Sequence, residues 1–275
     1  MREKKETEHW LKTKEVMLHY KIRGEGIPLL MLHGNGENLH LFDRQAKFYA
    51  KYFKVIRMDS RDHGLSRLRS EKKKKELDFH QFSDDIIAIL DKENIKKVIV
   101  LGFSDGANAA LIAACDEPKR FLAIIAIGGN LHPLGLRFSL FSTVLLRYYI
   151  LKFLLRFPMT HRMRSIAEQK YRLIALMAKH PIVSSQELKQ ISVPVLFIAG
   201  ENDVIRKNHT VWMKRQILNA KLVIIKKAGH SSMFDDMFRQ KDQYRQVIYQ
   251  FLKELGLWEI TANEVSVPKK AKTSK

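Results

Sequence analysis

Lys97-Val98-Ile99-Val100-Leu101 runs into Gly102-Phe103-Ser104-Asp105-Gly106, which runs into Ala107-Asn108-Ala109-Ala110-Leu111-Ile112-Ala113-Ala114. The first stretch is apolar and β-branched, the pattern of a buried strand. The third reads as a helix. A G-x-S-x-G sequence recurs by chance, but between a strand and a helix it has a mechanical meaning. The chain turns sharply there, and Gly102 and Gly106 remove the side chains that would collide. The Ser104 hydroxyl is then pushed above the sheet edge, ready to attack a carbonyl. The plainer alternative is an ordinary strand–loop–helix turn with a surface serine.

Three further segments fall where such a turn needs them. Ile27-Pro28-Leu29-Leu30-Met31-Leu32 reads as a buried strand, and His33-Gly34-Asn35-Gly36 follows it. Acyl transfer builds negative charge on the carbonyl oxygen, which needs preorganised donors. A glycine-rich loop lets backbone N–H groups come close, so the Asn35 and Asp105 amides are the expected oxyanion donors. A tight turn that binds nothing is the alternative for this segment. Pro194-Val195-Leu196-Phe197-Ile198-Ala199-Gly200 is a strand followed by Glu201-Asn202-Asp203, and Lys221-Leu222-Val223-Ile224-Ile225 is a strand followed by Ala228-Gly229-His230. Ser104 is a weak nucleophile until a base takes its proton, and His230 has a side chain suited to that task. Asp203 is the acid expected to orient His230 and stabilise the imidazolium. Glu201 and Asp235 are rivals, and the position three residues past the strand favours Asp203.

With these pieces the chain resembles the α/β-hydrolase superfamily, over roughly residues 15–255. The resemblance rests on His33-Gly34-Asn35-Gly36, Asp59-Ser60-Arg61-Asp62-His63-Gly64-Leu65-Ser66, Gly102-Phe103-Ser104-Asp105-Gly106, Gly200-Glu201-Asn202-Asp203 and Gly229-His230. Within the superfamily it looks like a group of small bacterial serine hydrolases. The second piece departs from the family's usual D-x-R-G-x-G-x-S by carrying Asp62 where glycine is common. Aspartate tolerates left-handed backbone better than most residues. Some relatives place their acid after the strand that here is Phe121–Ile127, but Gly128-Gly129-Asn130 offers no carboxylate there, which again favours Asp203.

Strands that alternate with helical segments argue for a mostly parallel sheet flanked by crossover helices, and the resemblance implies that this is an α/β-hydrolase fold. Ligands in such sheets bind at the carboxyl ends of strands, where all the quoted loops lie. Residues 39–52 and 78–93 have helical spacing, the latter with Phe82, Ile86, Ile87 and Leu90 on one face. The first sixteen or so residues are expected to fray. From residue 131 to 190 the alternation stops, and helices over 137–156 and 165–179 read as a helical cap inserted between core segments 1–130 and 191–258. Residues 259–275 read as a basic, disordered tail. Residues 138–157 are apolar on nearly every side, but Arg147 and Lys152 argue against a transmembrane span. A cap helix that roofs the site with Phe138, Phe141, Leu145, Tyr148 and Tyr149 is expected instead.

The chain has 275 residues and a formal net charge of +20, with lysine runs at Lys72-Lys73-Lys74-Lys75 and in the tail. No helix-turn-helix, RNA-recognition or zinc-finger pattern accompanies that charge, so nucleic acid is not an expected partner. A solvated surface is the preferred reading, while contact with an anionic membrane stays open. The single cysteine, Cys115, excludes an intrachain disulfide and reads as a packing residue. No metal-ligand spacing appears, and neither metal nor organic cofactor is expected. The N-terminus lacks the apolar core of a signal peptide, so a cytoplasmic location is the default expectation.

The expected activity is that of a serine hydrolase of the carboxylesterase type, cleaving an ester or related acyl bond of a small molecule. Carbon–carbon bond hydrolysis, amide cleavage or acyl transfer by the same residues remain open, as does a non-catalytic small-molecule receptor. Arg137, Arg147 and Arg156 offer an alternative to an apolar roof, namely an anion site for a carboxylate or phosphate on the substrate.

Overall fold

Apolar strands alternating with one-faced helices build a sheet covered on both sides. The computed structural model describes residues 5–69, 76–235 and 240–258. In chain order the elements are β1 (Thr7–Lys12), β2 (Val16–Arg23), β3 (Ile27–Leu32), α1 (Asp43–Tyr49), β4 (Phe53–Met58), β5 (Arg67–Leu68), α2 (Phe79–Lys92), β6 (Val98–Phe103), α3 (Asp105–Asp116), β7 (Phe121–Ile127), α4 (Phe138–Leu154), α5 (His161–Lys179), α6 (Ser185–Leu188), β8 (Val195–Gly200), α7 (Lys207–Gln216), β9 (Ala220–Ile225) and α8 (Gln240–Glu254). The sheet order is β1-β2-β4-β3-β6-β7-β8-β9, with β5 paired to β2. From β4 to β9 all neighbours are parallel, whereas β1, β2 and β5 join antiparallel. This is the α/β-hydrolase arrangement that the sequence predicts.

Strand β6 shows why these strands read as unbroken apolar runs. Val98 and Val100 face a core layer shared with α2, α3 and α7, and Ile99 and Leu101 face a second layer shared with α1 and α8. Both faces are dry, so a period-two polar alternation is absent. Helix α2 starts where Asp78 and Gln81 cap each other reciprocally. Its buried face runs through Phe82, Ile86, Ile89 and Leu90, with Ile89 in the place expected for Ile87, which is only half-buried.

Three expectations need correction. The N-terminal residues do not fray throughout, because β1 pairs with β2 over six residues, from Thr7 opposite Ile22 to Lys12 opposite Met17. Residues 39–52 form a short 3-10 turn, Leu39–Phe42, and then α1, because Asn38 caps the first and the chain must bend to reach β4. Helix α5 begins at His161 rather than residue 165, since Thr160 accepts from the Met163 N–H and supplies a cap that the spacing of apolar residues does not reveal. The basic tail and the Lys72–Lys75 run lie outside the described residues. No helix among the described residues is long and apolar enough to cross a membrane.

The loop 59–66 is a structural brace. Asp59 is buried, and its carboxylate accepts from the Leu39 and Leu65 N–H groups and meets His19 Nδ1 at 2.8 Å. Gly64 has φ +51°, and a Cβ there would lie 2.2 Å from the Asp59 carboxyl carbon. His33 joins this brace to the glycine loop. Its ring accepts from the Ser60 N–H at 3.0 Å and donates to the Gly34 carbonyl at 2.8 Å. Burial pushes the His33 pKa down to about 4, which keeps the ring neutral in that role.

Candidate active site

Ser104 links β6 to α3 with φ +52° and ψ −118°, a conformation costly for a non-glycine residue. The flanking glycines are required by space. A Cβ on Gly102 would lie 2.4 Å from the Gly106 carbonyl oxygen, and one on Gly106 would lie 2.1 Å from that of Leu32. The turn therefore packs against the end of β3, beside the loop that carries Asn35.

The ends of β6, β8 and β9 bring three of the expected residues into one hydrogen-bonded line. His230 Nε2 is 3.1 Å from Ser104 Oγ, and His230 Nδ1 is 2.7 Å from Asp203 Oδ1. Asp203 is buried and also accepts from the Ile205 and Gly200 N–H groups at 3.0 and 3.3 Å. Burial alone would raise its pKa, but the His230 hydrogen bond and charge, with the two amides, outweigh it and hold the carboxyl below its ordinary value. Glu201 turns away, accepting from the Lys227 N–H at 2.9 Å. Asp235 is not the group on His230 Nδ1.

Asn35 and Asp105 meet at the same place. Asp105 opens α3, where first-turn N–H groups lack helical partners. Among the described residues, neither the Asp105 nor the Asn35 N–H donates to a protein acceptor. Both residues line a cavity of about 340 Å³ together with Ser104 and His230. Its apolar wall is Phe103, Leu136, Leu140, Met177, Val204 and Ile205. None of the five residues expected to roof it lines it, and Phe138 and Tyr149 point to solvent, because α4 presents Leu140 inward instead. Arg137, Arg147 and Arg156 are exposed and also outside the cavity lining.

Four features escape sequence reasoning. Glu37 lines the cavity and accepts from the Gly34 N–H at 3.0 Å. Burial raises its pKa, opposed by that amide and by His230. The Asn35 side chain donates to Asp105 Oδ2 at 2.9 Å and to the Leu173 carbonyl of α5 at 3.1 Å, so the glycine loop is tied to the inserted helices. Asn108 braces the elbow by donating to Asp105 and accepting from the Asn130 N–H at 2.7 Å. Gly128 has φ +61°, and a Cβ there would sit 2.8 Å from His230 Cε1. Its signal was the Gly-Gly pair ending β7, where a side chain would displace the His230 ring.

Asp62 explains the departure from the usual glycine. At φ +61° its carboxylate accepts from Arg172 Nε of α5 at 2.6 Å, with both side chains buried. Its carbonyl accepts from the Gln169 side chain at 2.7 Å. The carboxylate thus clamps an inserted helix to the core.

Comparison with known proteins agrees with this fold. The family model for the alpha/beta hydrolase fold matches residues 27–160. An uncharacterized hydrolase of Bacillus subtilis is 31% identical over 108 residues, 39% of each chain, so this chain aligns with well under half of that relative. A pimeloyl-[acyl-carrier protein] methyl ester esterase of Nitrosomonas europaea is 26% identical, covering 78% of this chain and 92% of its own. Among solved structures, the enol-lactonase of Burkholderia xenovorans superposes with a TM-score of 0.70 at 18% identity, over 89% of this chain and 100% of its own. Sheet order, crossover helices and the solved structures that superpose on it give this chain the α/β-hydrolase fold.

Proposed function

We propose that the chain is a serine hydrolase that cleaves a carboxylic ester with a neutral, apolar acyl group. The observation that carries this is the line Ser104–His230–Asp203 opening onto a cavity beside the Asn35 and Asp105 amides, which donate to no protein acceptor among the described residues. In this reading Ser104 Oγ attacks the carbonyl carbon as His230 Nε2 takes its proton. The Asn35 and Asp105 amides hold the oxyanion. The leaving alkoxide takes the proton from His230, an acyl-enzyme remains, and water deprotonated by His230 releases the acid and frees Ser104. Asp203 fixes the ring so that Nδ1 donates to it and Nε2 is the base.

The cavity wall supports the neutral acyl group. Among the described residues its ionisable members are Glu37, Asp105, His180 and His230, with no arginine or lysine to offer an anion site. The strained backbone of Ser104 argues against an idle receptor, which needs no nucleophile and gains nothing from that strain. Hydrolysis of p-nitrophenyl esters by wild type and Ser104→Ala tests the proposal. The variant should lose at least about three orders of magnitude in kcat/KM. Near wild-type turnover would overturn it.

A further inference from the structure

Helix α4 has two opposite apolar sides, and only one is covered. Val144 and Tyr148 are buried, and Leu140 reaches the cavity that holds Ser104. On the other side Phe138 is 82% exposed, Leu146 62% and Phe153 55%, with Tyr149, Ile150 and Leu154 between them. At 100° per residue these six fall within a stripe of roughly 160°, apolar from Leu146 to Leu154 and interrupted toward Phe138 by Ser139, Ser142 and Thr143. Phe157, whose ring lies 5.1 Å from that of Phe153, extends it past the end of α4, and α5 exposes Met163 and Ile166 as well. So much exposed apolar surface in one place marks an interaction site rather than ordinary solvent-facing scatter.

The charge around the stripe indicates its occupant. Between residues 147 and 170 stand Arg147, Lys152, Arg156, Arg162, Arg164 and Lys170, against the single acid Glu168. Apart from Arg164, which is half-buried near Glu168, all these cations are exposed. A second copy of this chain, itself at +20, would bring like charges together, which opposes self-association through this face. An anionic bilayer supplies what the patch lacks: acyl chains for the stripe and phosphates for its basic border. With 17 residues, α4 lies on such a surface and does not cross it.

We propose that the inserted helices α4 and α5 dock the enzyme flat on an anionic lipid surface, with Leu140, on the inner side of the same helix, facing the reaction cavity. The substrates reached this way are amphiphilic acyl esters held at the surface. The substrate part rests on the serine-hydrolase reading above, but the docking part does not.

Vesicle sedimentation tests it, comparing phosphatidylglycerol/phosphatidylcholine vesicles with pure phosphatidylcholine. The wild type should bind the anionic vesicles at least about tenfold more tightly, and added salt should weaken the binding. The variant Leu146→Gln/Ile150→Gln/Phe153→Gln keeps good helix formers and should bind at least about tenfold less, with unchanged turnover of a short soluble ester. Should that variant not fold, Arg156→Glu/Arg162→Glu decides by the same loss. No binding to anionic vesicles, binding that both variants retain, or a concentration-dependent dimer that the glutamine variant dissolves would each overturn the proposal. Vesicle binding without turnover of any soluble ester would leave the docking intact and count against the hydrolase reading alone.

Discussion

Asp203 and His230 come from loops 27 residues apart, and each loop follows the end of a parallel strand. Their meeting rests on strand order, since β8 and β9 are neighbours in register from Val195 opposite Ala220 to Gly200 opposite Ile225. Asp203→Asn should cut ester turnover by roughly three to four orders of magnitude, as loss of an orienting carboxylate does. Asp235→Asn should stay near wild type, and the reverse ranking in kcat/KM would make Asp235 the acid. The sign of the pH dependence follows from the lowered carboxyl of Asp203. Its stabilisation is present above the unfolded value of about 3.9 and is lost as pH falls through the lower folded value. The stability deficit of Asp203→Asn in denaturant titrations should therefore be full at pH 7 and shrink below about pH 4. Ser104, Asp203 and His230 were legible because each sits a fixed few residues past an apolar run. Glu37 and the Asn35 side chain were not, because their contacts depend on loops folding against each other and against α5.

At the scale of elements, the sheet and its crossover helices were readable from apolar runs, and β1 was not. Its residues are mostly polar and exposed, and backbone pairing to β2 holds them, with Leu11 packed on the core. The insertion was legible as a break in alternation, but which side of α4 faces inward was not, because the helix is apolar all round and periodicity carries no orientation. The neighbouring α5 is held by the burial of Ala175 and Leu176 and by two polar ties, the Asp62–Arg172 pair and the Asn35–Leu173 bond. Asp62→Asn keeps a residue that tolerates positive φ but leaves Arg172 buried without its counter-charge. It should destabilise the fold by about 3–5 kcal/mol in urea titration, and pairing it with Arg172→Leu should recover much of that loss. A change under about 0.5 kcal/mol would mean that the pair is not a clamp.

For the whole molecule, the charge of +20 and the apolar cavity make separate predictions. An apolar acyl wall predicts kcat/KM for soluble esters that rises with acyl length, by up to about fourfold per methylene at roughly 0.8 kcal/mol each, until the cavity is full. It also predicts little response to salt. A flat length dependence with steep salt inhibition would point to an anion site, because exposed charges are screened beyond about 8–10 Å. The charge and its enrichment over residues 131–193 were readable from the sequence, but which face of α4 is left bare beside it was not. The central claim, that Ser104 is the nucleophile, is tested most directly by treating the protein with a fluorophosphonate and locating the adduct by peptide mass spectrometry. One adduct is expected, on Ser104, absent in Ser104→Ala and formed far more slowly in His230→Ala. An adduct on another residue, or equal labelling of Ser104→Ala, would contradict it.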